Sequence, residues 1–213
     1  TEIFVTCSVK ECLASLVAGC PLMQKLTISG DGLTNADAQR IAGAWPGLTS
    51  LGMNGNRGDV TDDGMAAMLA RLPHLQTILG INATNGILEA AAQSCREVRM
   101  MDGGAAVGSG EGFRYMAVDD RGISMAAGYW GHLHTLVLDN TSITEAGIVA
   151  VASAVPLLRN LSMENIGTCT VRALAALASG CAGLECIQLK DCGIDSTTLC
   201  TLGRFKALLR VGL

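Results

Sequence analysis

One spacing recurs along this chain and limits what it can fold into. An apolar residue is followed by two variable ones, an apolar residue, one variable residue and a third apolar residue, as in Leu133-His134-Thr135-Leu136-Val137-Leu138. Such cores begin at Met23, Leu48, Leu75, Val98, Leu133, Leu158, Leu184 and Leu208, at intervals of 25, 27, 23, 35, 25, 26 and 24 residues. In an extended strand alternate side chains point to opposite sides, so each core has an apolar side and a variable side. Strands this short cannot bury an apolar side alone, and successive units must stack.

A second regularity supports the register. The residue three before each core is apolar every time: Cys20, Trp45, Leu72, Cys95, Trp130, Val155, Cys181 and Phe205, with Pro21, Pro46, Pro73 and Pro156 following four of them. An apolar residue closing a helix, then a proline that cannot continue it, then a strand, is a coherent order of elements. Between the cores, apolar residues at spacings of three and four predict helices over Ala36–Ala44, Asp63–Arg71, Leu88–Ser94, Ile123–Trp130, Ile148–Ala154, Val171–Ser179 and Thr197–Phe205. Ile3, Val5 and a helix from Val9 to Gly19 read as an incomplete first unit. Strands that alternate with helices should pair in parallel, with the helices on the outer side.

This L-x-x-L-x-L pattern resembles the leucine-rich repeat, and by unit length and helical outer side it is similar to the ribonuclease-inhibitor-like and cysteine-containing subclasses. The resemblance implies an α/β fold, a horseshoe-shaped solenoid with a parallel sheet on the concave face and helices on the convex face. It covers residues 1–213 as a single domain of about eight units. The turn position that holds Asn or Cys in the family is occupied here by Asp31, Asn56, Thr141 and Cys192. Ile166 departs from it and cannot satisfy turn backbone, so an irregular turn is expected from Glu164 to Gly167.

Composition excludes several classes of function. A mean hydropathy of +0.38 with 16% charged residues rules out a disordered chain. No apolar run approaches the roughly 18 residues of a membrane span. The formal net charge is −4, the charges of both signs are interspersed, and aromatics are 3%. There is thus no basic stripe to follow a phosphate backbone and no stacking platform for bases, and nucleic acid is not an expected partner. Nine cysteines, an odd number without a compact framework, point to a reducing compartment. With no signal peptide in sight, the expected location is intracellular and cytoplasmic, or an organelle such as the mitochondrion had a targeting segment been removed ahead of Thr1. Neither end carries a polar capping repeat, so both ends are expected to be covered by further residues or by another chain.

The unit from Val98 to Leu133 is the long one. A Gly-rich stretch from Gly103 to Gly112 reads as an inserted loop, and Phe113–Val118 fits a strand core again. A single unit with an insertion is preferred to two short ones, because 15 residues between Val98 and Phe113 is too few for a repeat. Gly103 and Gly108 have the separation of a phosphate-binding loop, but Ser109 stands where Lys is required; the dinucleotide pattern fails at Phe113.

Other candidate chemistry reads as structural. Cys181, Cys186, Cys192 and Cys200 lie close in sequence, but the register sends them in different directions and no C-x-x-C pair exists. Among His74, His132 and His134, only His134 is placed on the concave face. Asp139 is near it without a fixed nucleophile, so no catalytic site is expected. Sequons at Asn82, Asn140 and Asn160 are read as chance in an intracellular chain. No cofactor or metal is called for.

The variable positions then list the inner face. Its centre is apolar at Leu79, Ile81, Met100 and Val137, and polar residues surround it at Asp102, His134, Asp139, Glu164, Gln188 and Lys190. An apolar centre with a polar surround is the anatomy of a protein interface. Together with the open ends and few charges, it leads to a non-enzymatic interaction module or scaffold subunit of a hetero-complex, binding protein partners through the concave face or the ends. The family also permits a GTPase activator of the Ran-activator type, but nothing singles out Arg57 or Arg121 for that role. A ubiquitin-ligase substrate receptor, the other alternative, would need an F-box-like segment, which these residues do not contain.

Overall fold

A computed structural model describes residues 2–5, 9–29, 32–54, 60–81, 83–104 and 118–213. The first unit is β1 (Glu2–Val5) and α1 (Val9–Gly19), followed by β2 (Lys25–Ser29), α2 (Asn35–Ala44), β3 (Ser50–Asn54), α3 (Asp62–Leu69), β4 (Thr77–Leu79), α4 (Asn85–Ser94) and β5 (Met100–Asp102). The second half comprises α5 (Asp120–Ala127), β6 (Thr135–Val137), α6 (Glu145–Ala154), β7 (Asn160–Ser162), α7 (Val171–Gly180), β8 (Cys186–Gln188), α8 (Ser196–Thr201) with a 3₁₀ turn at Leu202–Arg204, and β9 (Arg210–Gly212). All pairings are parallel and the strands stand in sequence order from β1 to β9. The expected alternating solenoid is the observed one.

The middle residues of the strands align across the sheet as Leu26, Leu51, Ile78, Met101, Leu136, Leu161 and Ile187, and all are buried. Full burial of such a side chain is worth about 1.5–3 kcal/mol, so one column running through seven units supplies much of the stacking energy. At the last strand Val211 continues the column but is 39% exposed, against 0% for Ile187.

The apolar helix-closing column is buried too, from Trp45 through Leu72, Cys95, Trp130 and Val155 to Cys181. Its polar hydrogens reach back one unit. The Trp45 indole donates to the Cys20 carbonyl at 2.7 Å, the Cys95 thiol to Leu72 at 3.5 Å and the Cys181 thiol to Val155 at 3.4 Å. The Trp130 indole nitrogen is buried with no partner among the described residues.

The helices begin up to three residues earlier than apolar periodicity predicts, because their first turns are built from polar caps. Thr34, Thr61, Thr84, Asp119, Thr144, Thr170 and Asp195 each accept a hydrogen bond from a first-turn amide. The next residue reaches forward to the cap of the following helix. Asn35 holds Thr61 through both its amide atoms, and Asn85 does the same for Asp119. Asp62 accepts the Thr84 hydroxyl at 2.6 Å, Asp120 accepts from Thr144 and the Gly147 amide, and Glu145 accepts the Thr170 hydroxyl. The Gly122 amide, and then Asn85, hold the Asp119 carboxyl below the usual carboxylate range.

The long unit keeps its register. β5 pairs directly with β6, the Gly103 amide donates to Val137 at 2.9 Å, and the Ser142 amide to Val118 at 2.8 Å. Residues 105–112 of the Gly-rich stretch and Phe113–Ala117 of the expected strand core lie outside the described residues, as do the turn positions Asp31 and Asn56.

The turn around Ile166 differs from expectation. Its backbone follows its neighbours: Asn140, Asn165 and Asp191 occupy one position of successive turns with φ of 58°, 55° and 56°, and Gly167 and Gly193 are both at positive φ two residues later. The missing donor is supplied from elsewhere. In the unit before, the Thr141 hydroxyl donates to the Leu138 carbonyl of its own turn; for Ile166 the equivalent Met163 carbonyl accepts the thiol of Cys192 from the next unit.

Candidate functional site: the concave sheet face

Two rows of residues line the inner face. The first runs Lys25, Ser50, Thr77, Met100, Thr135, Asn160, Cys186 and Arg210, and the second Thr27, Gly52, Leu79, Asp102, Val137, Ser162, Gln188 and Gly212. Near the middle, Leu79, Met100 and Val137 are half-buried and surround Asp102. Among the described residues no helix packs on this side; the helices pack on one another along the outer side.

Asp102 is the most constrained group there. Its carboxylate accepts from the Gly104 amide at 3.1 Å and the Gly80 amide at 3.4 Å. Burial pushes its pKa above the ordinary Asp value, the charge of Asp139 adds to that, and the two amides pull the other way. Asp139 is itself engaged, since one oxygen accepts both the Ser162 hydroxyl at 2.7 Å and the Glu164 amide at 2.8 Å. These hydrogen bonds hold both carboxylates in place on the face. Glu164 and Gln188 are half-buried beyond them, and Lys190 is exposed at the far end.

Two expected members of the face sit elsewhere. Ile81 is 4% exposed and belongs to the core. The segment from Leu75 to the helix cap Thr84 is two residues shorter than from Leu133 to Thr144. Gly80, at φ +60°, turns the chain in the shorter segment so that Ile81 enters the core instead of continuing the row. His134 precedes β6 and lies at the strand-entry rim, between the backbones of Arg99 and Arg159. Its Nδ1 is buried without a partner among the described residues. Asp139 lies five residues further along, across β6, about 16 Å away, so the two side chains are not brought together.

The four C-terminal cysteines diverge. Cys181 and Cys192 are buried against carbonyls of preceding units, Cys186 lies half-buried on the concave row and Cys200 is exposed on α8. Of the sequons, Asn140 is buried and accepts from Asn165 Nδ2 at 3.0 Å, Asn160 is exposed in the first row, and Asn82 is outside the described residues. Arg57 is outside them too. Arg121 lies in the first turn of α5 with its charge near Asp119.

The polar ladder along the helix starts does not follow from apolar spacing. Its signal is present as a Thr or Asp followed by Asn, Asp or Glu ahead of most helices, as in Thr34-Asn35, Thr61-Asp62 and Asp119-Asp120.

No protein-family model matches this sequence, and no curated protein does. Among solved structures, a chain of the yeast Rad7 and Elc1 complex is similar over 97% of this chain, with a TM-score of 0.63 and 17% identity. The present chain spans 61% of that one. A structure of a TLR13–ssRNA13 complex is also found, over 91% of this chain and 36% of the other, at 12% identity and a TM-score of 0.35. The fold is a leucine-rich-repeat solenoid. Among the described residues no helix is long and apolar enough to cross a membrane.

Proposed function

We propose that this chain is a non-enzymatic protein-interaction module, a subunit of a larger complex, that binds a protein through its concave face. The observation that carries this reading is the patch formed by Leu79, Met100 and Val137 around Asp102, on a sheet face that no helix covers among the described residues. Apolar side chains at the centre and tied-down polar ones around them suit a protein surface, where desolvation at the centre supplies affinity and the surround supplies selectivity. The similar yeast fold was itself solved in a complex of Rad7 and Elc1, which fits such a role. Asp102, Asp139, Glu164, Gln188 and Lys190 are the polar contacts this reading assigns, with Ile81 and His134 left out of the concave contact set.

The test is affinity purification with three forms: the unchanged chain, Leu79→Arg with Val137→Arg, and Met125→Arg on the exposed surface of α5. Proteins recovered with the unchanged chain and Met125→Arg but lost with the concave double variant support the reading. A set of partners unaffected by the concave substitutions would sink it.

A further inference from the structure

Folding separates charges that the sequence intersperses. Acidic residues concentrate where strands end and helices begin, at the caps and ladder described above. The opposite rim, where helices end and strands begin, carries Arg96, Arg99, His132, His134 and Arg159 over three successive units. The His134 amide donates to the Arg99 carbonyl and the Arg159 amide to the His134 carbonyl, so these three residues are consecutive rungs, spaced about 4.8 Å apart.

Compensation of helix dipoles does not explain this grouping, because the last turns of α2 through α7 contain no basic residue. Arg96 has local work, donating to the Gln93 carbonyl at 3.0 Å and lying 4.5 Å above the Tyr129 ring. Arg159 is paired with Glu185. Arg99 is exposed, and neither its guanidinium nor the His132 ring has a partner among the described residues. The acidic residues on the same rim are already engaged, Glu97 by His74 and Gln76 and Glu185 by Arg159.

We propose that this rim docks an acidic segment of a partner protein, with Arg99 as the central contact and His132 and Arg159 flanking it. Charge complementarity selects the partner: the exposed Arg99 guanidinium has no partner among the described residues, while the acidic opposite rim repels a negative chain from the other side of the horseshoe. A long phosphate backbone fits less well. The basic stretch is interrupted by Glu97 and Glu185, and the aromatic ring beside it, Tyr129, is already covered by Arg96.

The experiment measures fluorescence anisotropy of a labelled Glu-rich peptide, and of a labelled single-stranded RNA of equal charge, against the unchanged chain, Arg99→Glu and Arg121→Glu. The last variant makes the same change in net charge on the acidic rim. Thermal melts confirm that both exposed substitutions leave the chain folded. Arg99→Glu should weaken peptide binding on the order of tenfold while Arg121→Glu changes it less than about twofold. Equal weakening by the two variants, no binding of the peptide to the unchanged chain, or tighter binding of the RNA than of the peptide would each overturn the proposal.

Discussion

A β-carbon placed on Gly122 would lie 2.0 Å from Oδ1 of Asn85. The glycine in the first turn of α5 is therefore the socket for the side chain that carries the ladder from α4 to the Asp119 cap. This contact bridges the longest interval between helix starts, with residues 105–117 in between. Gly64 makes the same kind of socket for Asn35, at 1.9 Å.

Gly122→Ala should destabilise the chain, although alanine improves an exposed helix by about 1 kcal/mol. The new methyl evicts Asn85 from its hydrogen bonds to Asp119, and overpacking of this kind costs roughly 1–3 kcal/mol. In a double-mutant cycle, Gly122→Ala in the background of Asn85→Ala should cost little or stabilise, because the clash is already gone. Urea unfolding of the four proteins decides it. Additive effects would mean that the two residues do not interact.

The parts of the fold that repeat apolar residues were readable in advance. Strand cores at Met23, Leu48 and Leu133 and helix-closing residues such as Trp45 and Cys181 declare themselves by spacing, since burial leaves a periodic trace. Interactions between polar residues in different units leave none. Asn85 and Asp119 are 34 residues apart, and only the folded register brings them together. Ile81 departs from its expected place for a related reason: strict alternation does not continue through Gly80, where a positive φ ends it. The separation of acidic and basic rims was likewise hidden, because neighbours in sequence such as Arg159 and Glu164 end up at opposite ends of one strand.

Asp102 predicts a pH dependence of opposite sign to that of the caps. Its native pKa is raised, so the folded chain binds that proton more tightly than the unfolded one, and its contribution to stability declines as pH rises from the unfolded value of about 3.9 through the native value. Asp119 and Asp195 have lowered native values; the stability they contribute is present above the unfolded value and lost as pH falls through the native one. Asp102→Asn should therefore gain stability relative to the unchanged chain as pH rises through that window, reaching a plateau above it. Unfolding titrations at a series of pH values would show a difference that is flat with pH if the carboxylate were not buried.

Thiol labelling separates the cysteines by burial. Desolvation pushes the thiols of Cys95 and Cys169 up to about 12 and that of Cys181 to about 11. Only thiolates are alkylated, so these three should stay unlabelled in the native chain near neutral pH, while exposed Cys200 reacts first among the described cysteines. Mass spectrometry of chymotryptic peptides after brief iodoacetamide treatment reads the order directly. Early labelling of Cys95 or Cys181 would contradict their place in the helix-closing column.

Leu79 and Ile81 offer the sharpest comparison of the two sides of the sheet. Simple alternation would give them the same environment, yet Leu79 is half-buried on the concave row and Ile81 is sealed in the core. Ile81→Ala should cost about 2–5 kcal/mol, the range for truncating a buried aliphatic side chain. Leu79→Ala, with part of its surface already in water, should cost about 1 kcal/mol or less and act instead on partner binding. Gly80→Ala should be costly as well, because φ of +60° disfavours a β-carbon by about 1–2 kcal/mol and that carbon would lie 1.9 Å from Asn54 Oδ1. Urea unfolding of the three variants measures all of this together. Equal losses for Leu79→Ala and Ile81→Ala would show that the Gly80 turn does not divide the row from the core, and the concave patch would then have to be redrawn to include Ile81.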